Sequence, residues 1–261
     1  MSANSSIEWT ERTWNPITGC TKVSQGCKNC YAETVANRFW GDRKFTDITV
    51  HFDRLRQPLK WKKPSKIFVN SMSDLFHEVI PTSCIIDILE VMRAAKWHTF
   101  QVLTKRPNRM KQVVGLWIDL MKLGDYQEHV KHIWLGVSVE DQKTADERIP
   151  LLLQTPAAVR WVSYEPALEA VDFGFENRRN VDWVVVGGES GPKARLFDIG
   201  WAQSAVVQCQ DAKIPVFVKQ LGAKPYYQDE NGVEYMLGLK SRKGGDMNEW
   251  PPELRIREYP Q

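Results

Sequence analysis

The stretch KIFVNSMSD, from Lys66 to Asp74, decides the fold because it starts a pattern that recurs along the chain. Its apolar run is short and rich in branched and aromatic residues, which is typical of a strand buried on both faces of a parallel sheet. Residues 82–96 follow, with apolar residues spaced as on one face of a helix. Thr82 or Ser83 is expected to cap this helix. A second strand-like run comes directly after it.

Strand-like runs and helix-like segments alternate from here to the C-terminal part of the chain. The runs start at Lys66, Thr99, His132, Val159, Val181 and Ile214. The helix-like segments cover residues 30–41, 82–96, 107–124, 140–154 and 200–213. A further short strand is expected around Thr13–Ile17. This alternation predicts βαβ units, and therefore an α/β fold that forms a partial or full parallel (β/α) barrel.

Length and composition favour one sizeable domain. The chain has 261 residues, of which 43% are hydrophobic. We expect residues 1–222 to form the barrel with an N-terminal cysteine loop, and residues 223–261 to form an extension packed on the same domain. No apolar run approaches the length of a membrane-spanning helix, so no membrane contact is expected. The N-terminus lacks the pattern of a signal peptide, which predicts a cytoplasmic protein.

Positive charge is concentrated near the N-terminus. The net charge is +3, but residues 1–66 carry 12 Lys and Arg against 6 Asp and Glu, a local charge of +6. A solvated basic loop would explain this excess. A phosphate-binding patch for nucleic acid would explain it equally well, with Trp40 and Trp61 as candidates to stack on a base.

Polar residues follow each of the six apolar runs at once. They are Ser71, Ser73 and Asp74; Thr104, Lys105 and Arg106; Ser138 and Glu140; Ser163, Tyr164 and Glu165; Gly187, Gly188, Glu189 and Ser190; and Lys219 and Gln220. The active sites of parallel α/β folds lie at the C-terminal ends of their strands, so we expect these residues to line one site. The GGES stretch is suited to bind a phosphate or sugar through backbone N–H groups, although a double glycine also commonly forms a turn.

Three of the five cysteines lie on one segment, TWNPITGCTKVSQGCKNCYAE, which spans residues 13–33. Cys20, Cys27 and Cys30 are spaced C-x6-C-x2-C, directly after the first predicted strand. Lys22 and Lys28 would favour their thiolate forms. In a reducing compartment such a cluster more often binds metal than forms disulfides.

Three interpretations of the cysteines are open. A zinc site would need a fourth ligand from Cys84, Cys209, His51 or His77. Cys84 and Cys209 fall on the apolar stripes of predicted helices, which is typical of core residues. An iron–sulfur cluster held by three cysteines would leave one iron open. The cysteines could also be unrelated core or loop residues, and the cluster is the favoured interpretation.

An ordered set of motifs spans nearly the whole chain: NPITGC…CKNCYAE, SMSDLF, LTKRP, GVSVE, SYEPALE, GGESG and VKQLG. Together they resemble a phage-associated family of three-cysteine-motif proteins without a firmly established activity, and more broadly the radical S-adenosylmethionine (SAM) enzymes. The cysteine stretch is also similar to the spore photoproduct lyase branch of those enzymes. Two features depart from the common superfamily pattern. The first cysteine gap is six rather than three residues, and Asn29 stands where an aromatic residue often precedes the last cysteine.

The resemblance implies that Cys20, Cys27 and Cys30 bind a 4Fe–4S cluster whose fourth iron chelates SAM. One electron from an external donor would cleave the sulfonium bond, and the resulting radical would abstract hydrogen from a substrate. The superfamily pattern assigns the amino group of SAM to Ser71, Ser73 and Asp74, the ribose to Ser138 and Glu140, adenine to Tyr31, and the substrate to Glu165, Glu189 and Lys219. Tyr31 could instead be a core residue of a helix.

Several functions follow as hypotheses. The leading one is a radical SAM enzyme that acts on a nucleotide or nucleic acid, and a peptide substrate is the alternative within that class. A zinc-stabilised nucleic-acid-binding module is the second hypothesis. A barrel hydrolase with Glu165 and Glu189 as paired carboxylates is the third.

Overall fold

A computed structural model of the chain describes residues 5–122, 126–175, 181–229 and 231–261. The strands are β1 (Arg12–Trp14), β2 (Ile17–Thr18), β3 (Thr49–Val50), β4 (Lys66–Val69), β5 (Thr99–Thr104), β6 (Ile133–Val139), β7 (Val159–Tyr164), β8 (Trp183–Gly187), β9 (Phe197–Asp198), β10 (Val216–Gln220), β11 (Pro225–Gln228) and β12 (Glu234–Met236). The α-helices are α1 (Tyr31–Phe39), α2 (Phe52–Leu55), α3 (Gln57–Lys60), α4 (Thr82–Ala94), α5 (Pro107–Met121), α6 (Tyr126–Val130), α7 (Gln142–Leu153) and α8 (Ile199–Ala212).

The main sheet has seven strands in the order β1-β4-β5-β6-β7-β8-β10. Strand β4 runs parallel to β1 and β5, β6 runs parallel to β5, and β8 runs parallel to β7 and β10. The predicted α/β fold with a partial parallel (β/α) barrel is therefore confirmed. Each of the six strand-like runs in the sequence is a strand of this sheet, and the short run near Thr13 supplies its first strand. Smaller sheets join β2 to β3 and β9 to β11 and β12.

The chain divides into two compact units. The N-terminal unit comprises Met1–Val137 and Pro150–Arg160. Within it β4 pairs with both β1 and β5, so that Trp14 lies opposite Val69 and Val69 opposite Val102. Those three side chains are almost fully buried. The polar residues that follow β4 and β5 therefore lie at the same edge of the sheet, beyond the buried strand residues.

The C-terminal unit comprises Ser138–Ile149 and Trp161–Gln261. Its strands β7, β8 and β10 are neighbours, and Trp161 lies beside Trp183 with ring centroids 5.2 Å apart. The last residues of the chain pack on β10, where the Val218 amide donates to the carbonyl of Ile256 at 2.9 Å. The predicted extension thus contacts the sheet of this unit, and the domain boundary at residue 222 stays a prediction.

The five helix-like segments of the sequence correspond to α1, α4, α5, α7 and α8 and differ from the prediction mainly at their ends, whereas α2, α3 and α6 were not predicted. The prediction that Thr82 or Ser83 caps α4 is wrong, because Thr82 already lies inside the helix. The capping residue is Pro81, which has no side chain able to accept a hydrogen bond. The helix predicted over residues 107–124 ends at Met121, where Lys122 adopts a left-handed conformation with φ of 50°. Its predicted last residue, Gly124, lies outside the described residues.

Core and surface follow the predicted pattern in most places. Trp134, Trp161 and Trp183 are buried, as expected for residues inside strands. Cys209 is also fully buried, whereas Cys84 is partly exposed. No helix in the described ranges is both long enough and apolar enough to span a bilayer.

Candidate functional site

The loop that carries the three cysteines begins at a glycine whose backbone fixes its path. Gly19 has φ of 96° and forms a parallel bridge with Ser73. A Cβ at this position would lie 2.8 Å from the carbonyl oxygen of Asp47, so only glycine fits. The next amide, that of Cys20, donates to the carbonyl of Phe45 at 2.9 Å. Two neighbouring segments therefore set the position of Cys20.

Cys27 and Cys30 are placed by short helical turns. Cys27 ends a 3₁₀ turn over Gln25–Cys27, with its amide bonded to the carbonyl of Ser24 at 3.0 Å. Cys30 is the capping residue of α1, and its carbonyl accepts from the amide of Thr34 at 3.1 Å. A thiolate on Cys30 would lie at the positive end of the helix dipole.

The three thiols share one neighbourhood. All are free and partly buried. Cys20 and Cys30 pack against the same apolar cluster of Ala32, Ala36 and Phe45. Burial raises the pKa of Cys20 to about 11, with the charges of Asp74 and Cys27 adding to the shift. Cys20 is therefore a neutral thiol near neutral pH, and a metal would have to displace its proton.

Whether the three cysteines fit a metal depends on whether a single ion or a cluster is considered. Among the described residues, no three His, Cys, Asp or Glu side chains are arranged so that they could hold a metal ion. A single zinc ion needs all its ligands to converge on one atom, whereas each cysteine of a cluster bonds a different iron. Three free thiols on one loop, two of them against one apolar cluster, fit the cluster by donor chemistry.

The turn after β4 lies against the cysteine loop. The hydroxyl of Ser73 donates to the carbonyl of Ile17 at 2.9 Å, and the hydroxyl of Ser71 donates to the Asn15 side chain at 3.2 Å. The phenol of Tyr31 donates to the carbonyl of Ser71. The Tyr31 side chain is 51% exposed, so it is not a core residue. Three residues predicted to bind the cofactor are thus brought together beside the cysteines.

Asp74 lies in the same turn, but its carboxylate is already occupied. Oδ1 accepts from the amide of Phe76 at 2.9 Å and from the Thr104 hydroxyl at 2.7 Å. Oδ2 accepts from the amide of Lys105 and from Nη1 of Arg106, both at 3.1 Å. Asp74 is 6% exposed. An ammonium group could reach this carboxylate only by displacing one of its present donors, and its predicted contact with SAM stays a prediction.

Ser138 and Glu140 lie together in the C-terminal unit. Glu140 is fully buried, and its carboxylate accepts from Nη1 of Arg148 at 2.9 Å. Nη1 of Arg148 also donates to the carbonyl of Ser138, at 2.7 Å. The Ser138 hydroxyl donates to the carbonyl of Glu165 at 3.1 Å. These bonds hold the end of β6, and the predicted contact with ribose stays a prediction.

Glu165 and Lys219 form an ion pair at the ends of β7 and β10. Nζ of Lys219 lies 2.6 Å from Oε1 of Glu165, and the side chains are 16% and 19% exposed. Gly187 lies on the strand between them, and a Cβ there would come within 3.5 Å of the Glu165 carboxylate. The pair is therefore partly open to solvent and closely enclosed on the side of β8.

Glu189 pairs with an arginine instead of joining Glu165. Its carboxylate accepts from the backbone amide and Nε of Arg195, each at 3.0 Å. The double glycine before it serves close packing, because a Cβ at Gly188 would lie 2.7 Å from the carbonyl oxygen of Leu221. The Gly188 amide donates to the carbonyl of Gln220 at 3.1 Å. This amide therefore has an acceptor within the fold, and the expectation that the GGES stretch binds a phosphate or sugar stays a prediction.

The basic stretch of the N-terminal unit does not form one surface around the cysteines. Trp61, Lys62 and Lys63 precede the first residue of β4, whereas the cysteine loop lies beside the turn after its last residue. Trp61 also has the guanidinium of Arg12 at 5.1 Å from its ring centroid. Trp40 is closer to the cysteines, and it contacts Phe45. The positive charge is therefore divided between the two ends of β4.

Comparison with known proteins places the chain in a family. The model of one family, described as "Protein of unknown function (DUF5131)", matches residues 4–248. The chain belongs to this family. No curated protein matches the DUF5131 chain.

Solved structures of spore photoproduct lyase, a radical SAM enzyme, share the fold of the DUF5131 chain. A cysteine-to-serine mutant is 13% identical with a TM-score of 0.50, and the match covers 92% of this chain and 72% of that one. The complex with dinucleoside spore photoproduct gives 12% identity, a TM-score of 0.51 and the same coverage. A double mutant with bound AdoMet and dinucleoside spore photoproduct gives 12%, 0.51 and coverages of 90% and 70%. At this identity the likeness shows the fold, a radical SAM type of partial barrel.

Three arginines that sequence reasoning did not assign hold the predicted acids of the DUF5131 chain. Arg106 pairs with Asp74, Arg148 with Glu140, and Arg195 with Glu189. Arg106 lies in the LTKRP motif, and the sequence identifies it only as one of the polar residues that follow a strand. The other two arginines carry no motif, and only the folded chain brings them to their partners.

Proposed function

We propose that this chain is a radical SAM enzyme that binds a 4Fe–4S cluster through Cys20, Cys27 and Cys30 and acts on a nucleotide or nucleic acid. One observation carries the proposal: three free thiols lie on a single loop beside the turn after β4, in a fold of the radical SAM type. When bound, the cluster and SAM would supply one-electron cleavage of the sulfonium bond and a carbon-centred radical that abstracts hydrogen.

The N-terminal unit would bind and orient the cofactors. Its cysteines would hold three irons as thiolates and leave the fourth for SAM. The turn Ser71–Asp74 would offer hydroxyl and carbonyl oxygens to the amino group of SAM. Asp74 would hold that turn in place, since each of its oxygens already accepts two hydrogen bonds. Tyr31 has the exposure needed for contact with adenine.

The C-terminal unit would supply ribose and substrate contacts. The β6 end at Ser138 and Glu140 is proposed for the ribose, with the buried Arg148 pair keeping that end rigid. The Lys219 ammonium suits a phosphate or other anionic group of the substrate, and Glu165 sets its position through the 2.6 Å contact. Glu189, paired with Arg195, is proposed to lie against the substrate as well.

A nucleotide or nucleic acid is the proposed substrate class for two reasons. Three of the structural neighbours contain dinucleoside spore photoproduct, and one of these also contains AdoMet. Residues 1–66 of this chain carry a net charge of +6, and the part of that charge near the cysteine loop would suit a phosphate group of the substrate. Reduction of the cluster would require an external electron donor.

The activity can be tested on protein purified without oxygen and loaded with iron and sulfide. Dithionite and SAM are added, and 5′-deoxyadenosine is measured by chromatography. Release is expected from the wild-type protein and from Cys84→Ala, but not from Cys20→Ala, Cys27→Ala or Cys30→Ala. Cys84 is the matched control because it is a partly exposed cysteine on α4, outside the loop.

The substrate class is tested in the same assay with two further arms. A mixture of single-stranded DNA oligonucleotides is expected to accelerate 5′-deoxyadenosine release, and a mixture of tryptic peptides is not. If the peptides accelerate the release and the oligonucleotides do not, the substrate is a peptide and the nucleic-acid assignment is wrong. A colourless protein that binds one zinc ion and releases no 5′-deoxyadenosine would contradict the proposed function altogether.

A further inference from the structure

Arg106 connects the cysteine loop to the ends of two strands. It lies two residues after the end of β5, its amide donates to the Thr104 hydroxyl at 2.9 Å, and Pro107 begins α5 immediately after it. The side chain is 7% exposed. Backbone and burial therefore hold its guanidinium in one place.

Every N–H of this guanidinium has an acceptor. Nε donates to the Glu78 carboxylate at 2.8 Å, and Nη2 donates to the carbonyl and hydroxyl of Thr21 at 3.2 and 3.1 Å. Nη1 donates to Asp74 at 3.1 Å and to Sγ of Cys20 at 3.7 Å. An arginine has five N–H donors, so all are used and one of them meets a sulfur.

The sulfur contact has a chemical consequence. Nη1 of Arg106 lies 3.7 Å from Sγ of Cys20, and a neutral thiol at that position would accept only a weak hydrogen bond. A metal-bound thiolate carries negative charge and accepts a much stronger, charge-assisted hydrogen bond. The contact of Arg106 with Cys20 therefore gains most of its strength when a metal is bound.

We propose that Arg106 is a positioning residue for the cluster: it fixes the Cys20–Thr21 segment against Asp74 and Glu78 and donates a hydrogen bond to the Cys20 sulfur. This inference rests on the proposed function. Hydrogen bonds and positive charge near the sulfurs favour the reduced, more negative cluster. Arg106 thus makes the bound cluster easier to reduce, and it orders the loop even when no metal is bound.

Arg106→Met removes the charge and the donors but keeps an unbranched side chain, and Arg106→Lys keeps the charge but loses the planar fork. Arg109→Met is the matched control. Arg109 lies about one turn further along the chain, in α5, and donates to the carbonyls of His77 and Ile80 rather than to the cysteine loop. The double variant Asp74→Asn, Arg106→Met avoids a buried unpaired carboxylate, so it provides the test if the single variant does not fold.

The first measurement is amide hydrogen exchange of the metal-free protein. Exchange in the Cys20–Thr21 segment is expected to accelerate about tenfold or more in both Arg106 variants and to stay unchanged in Arg109→Met. Unchanged exchange in a folded Arg106→Met protein would overturn the positioning role. This arm needs no cluster, so it remains decisive if the proposed function is wrong.

The second measurement is the midpoint potential of the reconstituted cluster, followed by electron paramagnetic resonance. Arg106→Met is expected to lower the ratio of reduced to oxidised cluster about tenfold at a fixed potential, which is about 59 mV for a one-electron couple. An unchanged midpoint potential in the cluster-loaded Arg106→Met protein would contradict the proposed hydrogen bond from Arg106 to the Cys20 sulfur. Failure of the wild-type protein to form any cluster would instead contradict the proposed function.

Discussion

Lys219 and Glu165 form an ion pair, 2.6 Å between Nζ and Oε1, across the glycine that ends β8. Both side chains remain partly exposed, unlike the buried pair of Glu140 and Arg148. A cation held by one carboxylate and open to solvent is able to meet an anionic ligand without first losing its partner. For this reason the proposed function assigns substrate contact to this pair.

Loss of Lys219 should weaken binding of an anionic substrate. Lys219→Met is expected to reduce the affinity for a fluorescent single-stranded DNA oligonucleotide about tenfold, and to reduce the dependence of log affinity on log salt by about one. Fluorescence anisotropy at several salt concentrations measures both quantities. Lys143→Met, which removes the same charge from an exposed site on α7, should change neither. Equal losses of affinity in the two variants would contradict a specific role of Lys219 in binding the substrate.

The buried Arg148 should be essential to stability. Arg148→Met leaves the carboxylate of Glu140 buried without its cation, which is expected to lower the free energy of unfolding by about 3–5 kcal/mol. Urea denaturation followed by circular dichroism measures the change. Lys131→Met, which breaks an exposed pair with Glu128, should have little effect. Equal decreases in the free energy of unfolding for the two substitutions would contradict this prediction.

Two glycines should respond oppositely to alanine. Gly188→Ala places a Cβ 2.7 Å from the Leu221 carbonyl oxygen and 2.9 Å from the Phe197 ring, so it is expected to destabilise the protein by about 1–3 kcal/mol. Gly115→Ala meets nothing within 4 Å inside α5 and should stabilise it by about 0.5–1 kcal/mol. Thermal unfolding of the two variants gives the comparison. A stabilising Gly188→Ala would show that the GGES turn is more open than described.

Cysteine labelling should separate the core thiol from the loop thiols. Burial raises the pKa of Cys209 far above its usual range, so its thiolate should be negligible between pH 7 and 9. Iodoacetamide is therefore expected to label Cys27 and Cys30 of the native metal-free protein but to spare Cys209 over that range. Unfolding in urea should expose all five cysteines. Peptide mass spectrometry reads each site, and labelling of Cys209 as fast as Cys30 would contradict its burial.

The sequence predicted the large elements of the fold well because their signals are local. The run IWLGVSV is buried at every position, and its largely apolar character predicted a strand buried on both faces of a parallel sheet. The pairs formed by β2 with β3 and by β9 with β11 were not predicted. Strands of two residues have no periodicity to detect, and other parts of the fold create them.

The sequence supplied candidate site residues but not their contacts. The cysteine spacing and the polar strand ends indicated the candidates, and their roles stay predictions. Their partners depend on contacts that only the tertiary structure creates, as between Arg106 and Asp74, which are 32 positions apart. The sequence alone therefore predicted carboxylate side chains available to bind ligands. In the fold, the carboxylates of Asp74 and Glu140 are already paired with arginines.

The central claim is that the three loop cysteines hold a 4Fe–4S cluster, and iron and acid-labile sulfide per chain test it most directly. After anaerobic reconstitution, the wild-type protein and Cys84→Ala are each expected to hold about four irons and about four sulfides per chain. Cys27→Ala should hold far fewer. Cluster content that is unaffected by Cys27→Ala, or a wild-type protein that retains zinc and takes up no iron, would contradict the claim.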